Sequence, residues 1–176
     1  MVTIALFAAV LCVTSPLSIA VGPIPLSLTT LLIYLAAGSL GWRCGVISVV
    51  VYVLLGAAGL PVFSNFEGGF HKIAGLTGGF IIGYIPCALA TGWIGGAIQK
   101  YSGRAWLYIL GMFTGTVLLY TCGTVWFILQ TGSAPVYALT VCVVPFLPGD
   151  AIKITVAGIT APRLRSAILT LRKTEG

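Results

Sequence analysis

Acidic and imidazole side chains are nearly absent: three Asp or Glu and a single histidine, His71, stand among 176 residues. General acid–base chemistry and metal binding draw mainly on those groups, so a hydrolytic or metal-dependent site has little to be built from. No GxxxxGK[ST] phosphate loop, no HExxH and no Ser, His and Asp set occurs either, which argues against an enzyme and against ATP-driven machinery within this chain. His71 beside Lys72 reads as solvated loop polarity rather than as a general base. The five cysteines, Cys12, Cys44, Cys87, Cys122 and Cys142, fall one by one in or beside separate apolar runs, with no CxxC or Cys/His spacing. They read as small packing residues, and neither metal nor cofactor is expected.

Charge of either sign is scarce. Charged residues make up 7% of the chain and hydrophobic ones 59%, with a mean hydropathy of +1.11. A soluble domain could not hide that much apolar surface, so the composition specifies an integral membrane protein. A net charge of +6 would suggest nucleic acid in a soluble protein. Here the cations lie between and after apolar runs, where they act as topology signals instead. The start of the chain, Met1-Val-Thr-Ile, lacks a basic region of signal-peptide type, and the first apolar run is read as a mature helix.

Taken in order, that first run extends from about Val2 to Val21, and Ala5-x-x-x-Ala9 gives it a smooth face that another helix can approach closely. Gly22-Pro-Ile-Pro25 makes a turn. Segment 2 follows from about Leu26 to Ala37 and segment 3 from about Val46 to Ala58, joined by Gly38 to Gly45 with Arg43 as its one charge. The stretch Gly59 to Lys72 is the longest irregular piece, holding Glu67, His71, Lys72 and three phenylalanines; it is read as a lid over a site in preference to a plain interfacial loop. Segment 4 starts at Gly75-Leu-Thr-Gly-Gly79 and runs to about Ile98. Segment 5 spans about Trp106 to Gln130 and carries Tyr120 and Trp126. A short apolar piece, Val136 to Phe146, precedes the last helix, about Asp150 to Leu171.

Counted as six spans in a single domain over residues 1–176, the alternate connections divide the cations unevenly. One set holds Arg43, Lys100, Arg104, Arg163, Arg165, Arg172 and Lys173, and the other only Lys72. Lys and Arg accumulate in short cytoplasmic loops, so both termini are expected in the cytoplasm. The lid, the Thr77-Gly78-Gly79 helix start and Asp150 then converge on the outer side. Asp150 and Lys153, three residues apart, are either a helix cap with a lysine reaching for the membrane surface or a polar site cut into the bundle. Ionisable groups inside spans are costly and usually mark a solute or ion path, which favours the second reading.

Three motifs in order resemble the BioY family of biotin transporters: Gly59-Leu-Pro-Val-Phe-Ser64 before Gly68-Gly69, Gly75-Leu-Thr-Gly-Gly-Phe80, and Pro145-Phe-Leu-Pro-Gly-Asp-Ala-Ile-Lys153. The likeness covers nearly the whole chain. It implies an all-α integral membrane protein, a six-helix bundle of the substrate-binding S component of energy-coupling factor (ECF) transporters, in the cell membrane. It also implies partners: a transmembrane coupling subunit, docked on Ala5 and Ala9, and two cytoplasmic ATPases. Biotin would then meet Asp150 and Asn65 or Lys153 through its ureido ring, Lys153 or the Thr77, Gly78 and Gly79 backbone through its carboxylate, and Phe63, Tyr120 and Trp126 through its apolar parts. Which polar end meets which group stays open at this point. Many relatives carry a glutamine where Leu28-Thr29-Thr30 stands, so a loop residue such as Asn65 compensates or the preferred ligand shifts toward a biotin precursor. The rival functions are a standalone or proton-coupled carrier for a small carboxylate, and a purely structural membrane subunit.

Overall fold

A computed structural model of the chain describes residues 1–21, 24–97 and 106–174. The expected cationic joint with Lys100 and Arg104 lies outside the described residues, as do Gly22 and Pro23 and the side chains of Arg172 and Lys173.

The first helix, α1, covers Val2–Thr14 and stops well before Val21. Pro16 lacks the N–H that another helical turn requires. The chain instead forms two antiparallel strands, β1 (Ser18–Val21) and β2 (Ile24–Ser27), registered Ser18 to Ser27 and Val21 to Ile24. Pro25 is tolerated there because a two-stranded ribbon consists only of edges. The expected turn is thus part of a hairpin, and the second helix, α2 (Thr29–Leu40), begins after it. Helix α3 (Trp42–Ala57) follows after Gly41 alone, whose φ of 83° suits glycine. The expected eight-residue joint is therefore mostly helical, and a Cβ on Gly45 would lie 2.5 Å from the Ala37 Cα, so the two helices pack backbone to backbone.

The stretch after α3 is ordered by its own contacts. Phe63 and Glu67 form an isolated bridge around a 3-10 turn at Ser64–Phe66, and the short helix α4 covers Phe70–Ala74. Two long helices come next, α5 (Gly78–Ala97) and α6 (Trp106–Thr131). Glycines on both line their contact: Gly79 and Gly83 meet Trp126, Cys122 and Leu119, while Gly115 meets Cys87 and Thr91. Small residues let membrane helices approach in this way. Helix α7 (Pro135–Cys142) precedes α8 (Leu147–Thr174), bent from it by 49°.

Large apolar side chains face outward: Leu54, Trp93, Phe113 and Leu129 are 59–76% exposed. An apolar coat of that kind needs lipid around it. By length and composition α5 and α6 can each cross a bilayer, and the bent pair α7 and α8 adds a third crossing when taken as one span. Helices α1, α2 and α3 are apolar but shorter. The chain is a multi-pass, all-helical membrane protein apart from its one hairpin, with a core that includes Leu11, Ile33, Tyr34, Val49, Tyr52 and Met112.

Candidate functional site

Asp150 and Lys153 share one face of the first turns of α8 and both turn inward, 4% and 9% exposed. Burial of two charges in an apolar bundle demands full compensation. The Lys153 Nζ donates to the Ser27 carbonyl at 2.8 Å, to Thr30 Oγ1 at 3.1 Å and to Asp150 Oδ1 at 2.9 Å. An ammonium has three N–H donors, so Lys153 is saturated by protein. Asp150 Oδ1 also accepts from Thr30 Oγ1 at 3.3 Å, and Oδ2 accepts from Tyr120 Oη at 2.6 Å. Each carboxylate oxygen has about two lone-pair sites, which among the described residues leaves Oδ2 one vacant acceptor position. The reading of Lys153 as a side chain reaching for the membrane surface is corrected: it bridges α8 to the hairpin and to α2.

This cluster forms part of the wall of a cavity that, counted together with the open solvent at its mouth, holds about 600 Å³ of space between atoms. The hairpin contributes Ile24, Pro25 and Ser27, and the loop after α3 contributes Phe63 and Ser64. Aromatic rings set its shape. Tyr52 meets Phe63 edge-on at 5.8 Å and lies 6.4 Å from Tyr84, and Phe80 stacks on Phe146 at 6.5 Å. Thr77, at the start of α5, lines the cavity with a buried Oγ1 that has no hydrogen-bond partner among the described residues. Lys72 of α4 lines it as well, paired with Glu67 at 2.6 Å. The site is thus mostly apolar, with a few fixed polar groups.

Of the residues singled out from sequence, Phe63, Thr77, Tyr120, Asp150 and Lys153 come together here. Gly78, Gly79, Asn65 and Trp126 do not line the cavity. A Cβ on Gly78 would collide with the Ile73 carbonyl and one on Gly79 with Trp126, so these glycines serve helix packing. Trp126 donates from Nε1 to the Gly75 carbonyl at 2.9 Å and pins the start of α5. Asn65, with φ 64°, is exposed and clasps the hairpin: its N–H donates to Pro16 O and Ser18 Oγ, and its Oδ1 accepts from Ser18 Oγ at 3.0 Å.

Sequence reasoning did not name Ser27, Thr30, Tyr52, Tyr84, Phe80 or Phe146 as ligand contacts, and gave Lys72, within the stretch read as a lid, no role in binding. Thr30 carried a usable signal, because it occupies the place where a glutamine was expected. Ala5 and Ala9 are exposed on α1, whereas Ala8 is buried. Among the described residues no three His, Cys, Asp or Glu gather in a way that could hold a metal ion.

Fold and site together define a helical membrane protein with a solute-sized cavity walled by a compensated ion pair and aromatic rings. The family model for the BioY family matches residues 1–170, and the chain belongs to that family. It is 37% identical over 161 residues to the biotin transporter BioY of Thermotoga maritima, covering 91% of this chain and 92% of that one. To the probable biotin transporter BioY of Pyrococcus horikoshii it is 36% identical, covering 92% and 93%. Among solved structures it resembles the 2.1 Å crystal structure of the S-component for biotin from an ECF-type ABC transporter, with a TM-score of 0.85 and 26% identity over 94% of this chain and 89% of that chain.

Proposed function

We infer that this protein takes up biotin, as a membrane transporter and not as an enzyme. The observation that carries the reading is the buried Asp150–Lys153 cluster on the wall of an aromatic cavity. A ureido ring offers two N–H donors, and Asp150 Oδ2 offers one open acceptor between fixed neighbours. The thiolane ring and alkyl chain fit against Phe63, Tyr52, Tyr84 and Phe80. The substrate-contacting residues are accordingly Asp150, Tyr120, Thr77 and Phe63, with Lys153 holding Asp150 in place.

The finer parts of the proposal concern topology and partners. The chain forms one domain of six membrane crossings, the shorter apolar helices α1, α2 and α3 included, in the cell membrane with both termini cytoplasmic. In support, Arg165 reaches the Gly38 carbonyl at 3.5 Å, near the end of α2, whereas Thr30 at the start of α2 faces the cavity. Eight helical residues separate these two points by about 12 Å, so cationic and solute ends are opposed. Delivery inward uses an ECF module, a transmembrane coupling subunit with two ATPases, docked on the exposed Ala5 and Ala9 of α1. No cofactor takes part.

Calorimetric titration of the purified protein with biotin, its precursors and other vitamins tests the reading. Saturable binding of biotin is expected, and a folded sample that binds none refutes it. Uptake that needs no ATPase partner and collapses with a protonophore would replace the coupled mechanism by a proton-coupled carrier.

A further inference from the structure

The biotin reading leaves the valerate carboxylate without a defined partner. Lys153 cannot serve, because its three donors already meet Ser27, Thr30 and Asp150 at 2.8–3.1 Å. Lys72 differs in each respect. Among the described residues its ammonium has one acceptor, Glu67 at 2.6 Å, and it lines the cavity while Glu67 does not. The Glu67 side chain is 43% exposed against 17% for Lys72, so the acid sits on the solvent side of the pair. Thr77, on the segment that follows α4, adds to the wall of the same cavity a buried hydroxyl with no hydrogen-bond partner among the described residues.

We propose that Lys72 and the Thr77 hydroxyl form the carboxylate subsite of this transporter, with Glu67 as an internal counter-ion that the ligand's carboxylate displaces. The reasoning rests on the biotin reading above and adds a residue that sets specificity for acids. An apolar cavity wall bearing an unpaired ammonium would be costly, and Glu67 removes that cost while the site is empty. When a carboxylate arrives, Glu67 can return to water cheaply because it is already half exposed. A pair whose acid stays partly in water is weaker than a fully buried one, so the exchange favours the incoming ligand, which brings its own buried contacts. The same exchange discriminates against neutral analogues: an amide or ester in place of the carboxylate cannot replace Glu67 as a counter-ion. Glu67 and Lys72 lie on the two sides of Gly68-Gly69, and Gly69 has a φ of 93°, so the exchange occurs at a bend in the loop over the cavity.

The test compares biotin with biotinamide, whose carboxylate is a neutral amide, on the purified full chain and its Lys72→Gln, Lys72→Arg and Glu67→Gln variants. Lys72→Gln is expected to weaken biotin about tenfold or more, the loss of one charge-assisted bond, and to leave biotinamide within about twofold. Lys72→Arg keeps biotin binding, and Glu67→Gln tightens biotin about two- to fivefold without moving biotinamide. Retained biotinamide binding also shows that each variant is folded. Equal weakening of both ligands by Lys72→Gln, or no effect on either, overturns the subsite while leaving the biotin reading intact. A folded wild-type protein that binds neither ligand overturns both.

Discussion

Removing the charge of Asp150 separates what the buried pair does for the fold from what it does for the ligand. In Asp150→Asn the side-chain volume is kept, but Lys153, 9% exposed, loses its one counter-ion among the described residues while Ser27 and Thr30 still hold it in place. Breaking a buried pair on one side costs about 3–5 kcal/mol, a large part of the 5–15 kcal/mol that typically holds a domain together. At about 2–4 °C per kcal/mol for a chain of this size, the melting temperature should fall by about 6–20 °C. In the double variant Asp150→Asn with Lys153→Met, no uncompensated charge is left and the methionine fills the lysine's stem volume. Stability should return to within about 1 kcal/mol of the wild type. Biotin binding should weaken in both variants by about tenfold or more, since the charged acceptor facing the ligand is replaced by at most one neutral amide oxygen. Thermal unfolding in detergent and calorimetric titration read the two effects on the same samples. A double variant that binds biotin as the wild type does would remove Asp150 from the site, and an Asp150→Asn protein with unchanged melting would show that the pair is not buried in the energetic sense.

Tyr120→Phe removes one charge-assisted bond of 2.6 Å to Asp150 Oδ2 and should weaken biotin by about tenfold or more in the same titration. Trp126→Phe loses the bond to the Gly75 carbonyl and part of the ring that packs on Gly78 and Gly79, so melting should drop by at least about 2–4 °C with affinity held within about threefold; a larger loss of affinity would return Trp126 to the ligand's wall. Gly79→Ala places a methyl against Trp126 and 2.7 Å from the Cys122 carbonyl, and because backbone cannot withdraw without parting α5 from α6, a destabilisation of about 1–3 kcal/mol is expected in thermal unfolding. Ala9→Leu should leave biotin affinity unchanged yet abolish co-purification with the ATPase subunits, and retained co-purification would move the docking face away from α1.

The long apolar elements were legible because their boundaries carry chemistry that hydropathy can see. Segment 5 was expected over about Trp106 to Gln130 and α6 covers Trp106–Thr131, bounded by a basic joint before it and Gly132 after it. The first segment ran too far because Ser18 to Val21 is as apolar as a helix and far too short to show a strand's alternation. Pro16 was the available stop signal, and only pairing with Ile24 to Ser27 makes a strand there favourable. The loop after α3 contributes Phe63 and Ser64 to the cavity wall, but its clasp to the hairpin through Asn65 and Ser18 joins residues 47 apart, which no local pattern reveals.

The polar part of the site was legible only where charge made it conspicuous. Asp150 and Lys153 stand out in an apolar chain, whereas Thr30 does not, because hydroxyls in membrane helices usually bond their own backbone and carry no signal, and Ser27 acts through a backbone carbonyl that every residue has. Thr114 and Thr121, for instance, return to Leu110 and Val117 in that way. Gly78 and Gly79 show the reverse difficulty: a glycine bares backbone equally to a ligand or to a neighbouring helix, and here the neighbour is Trp126. The two lysines make the point most sharply. The resemblance made Lys153 a candidate partner for the carboxylate and assigned no contact to Lys72. Counting hydrogen bonds reverses that order, since three acceptors exhaust Lys153 while Lys72 faces the cavity with a single, half-exposed partner.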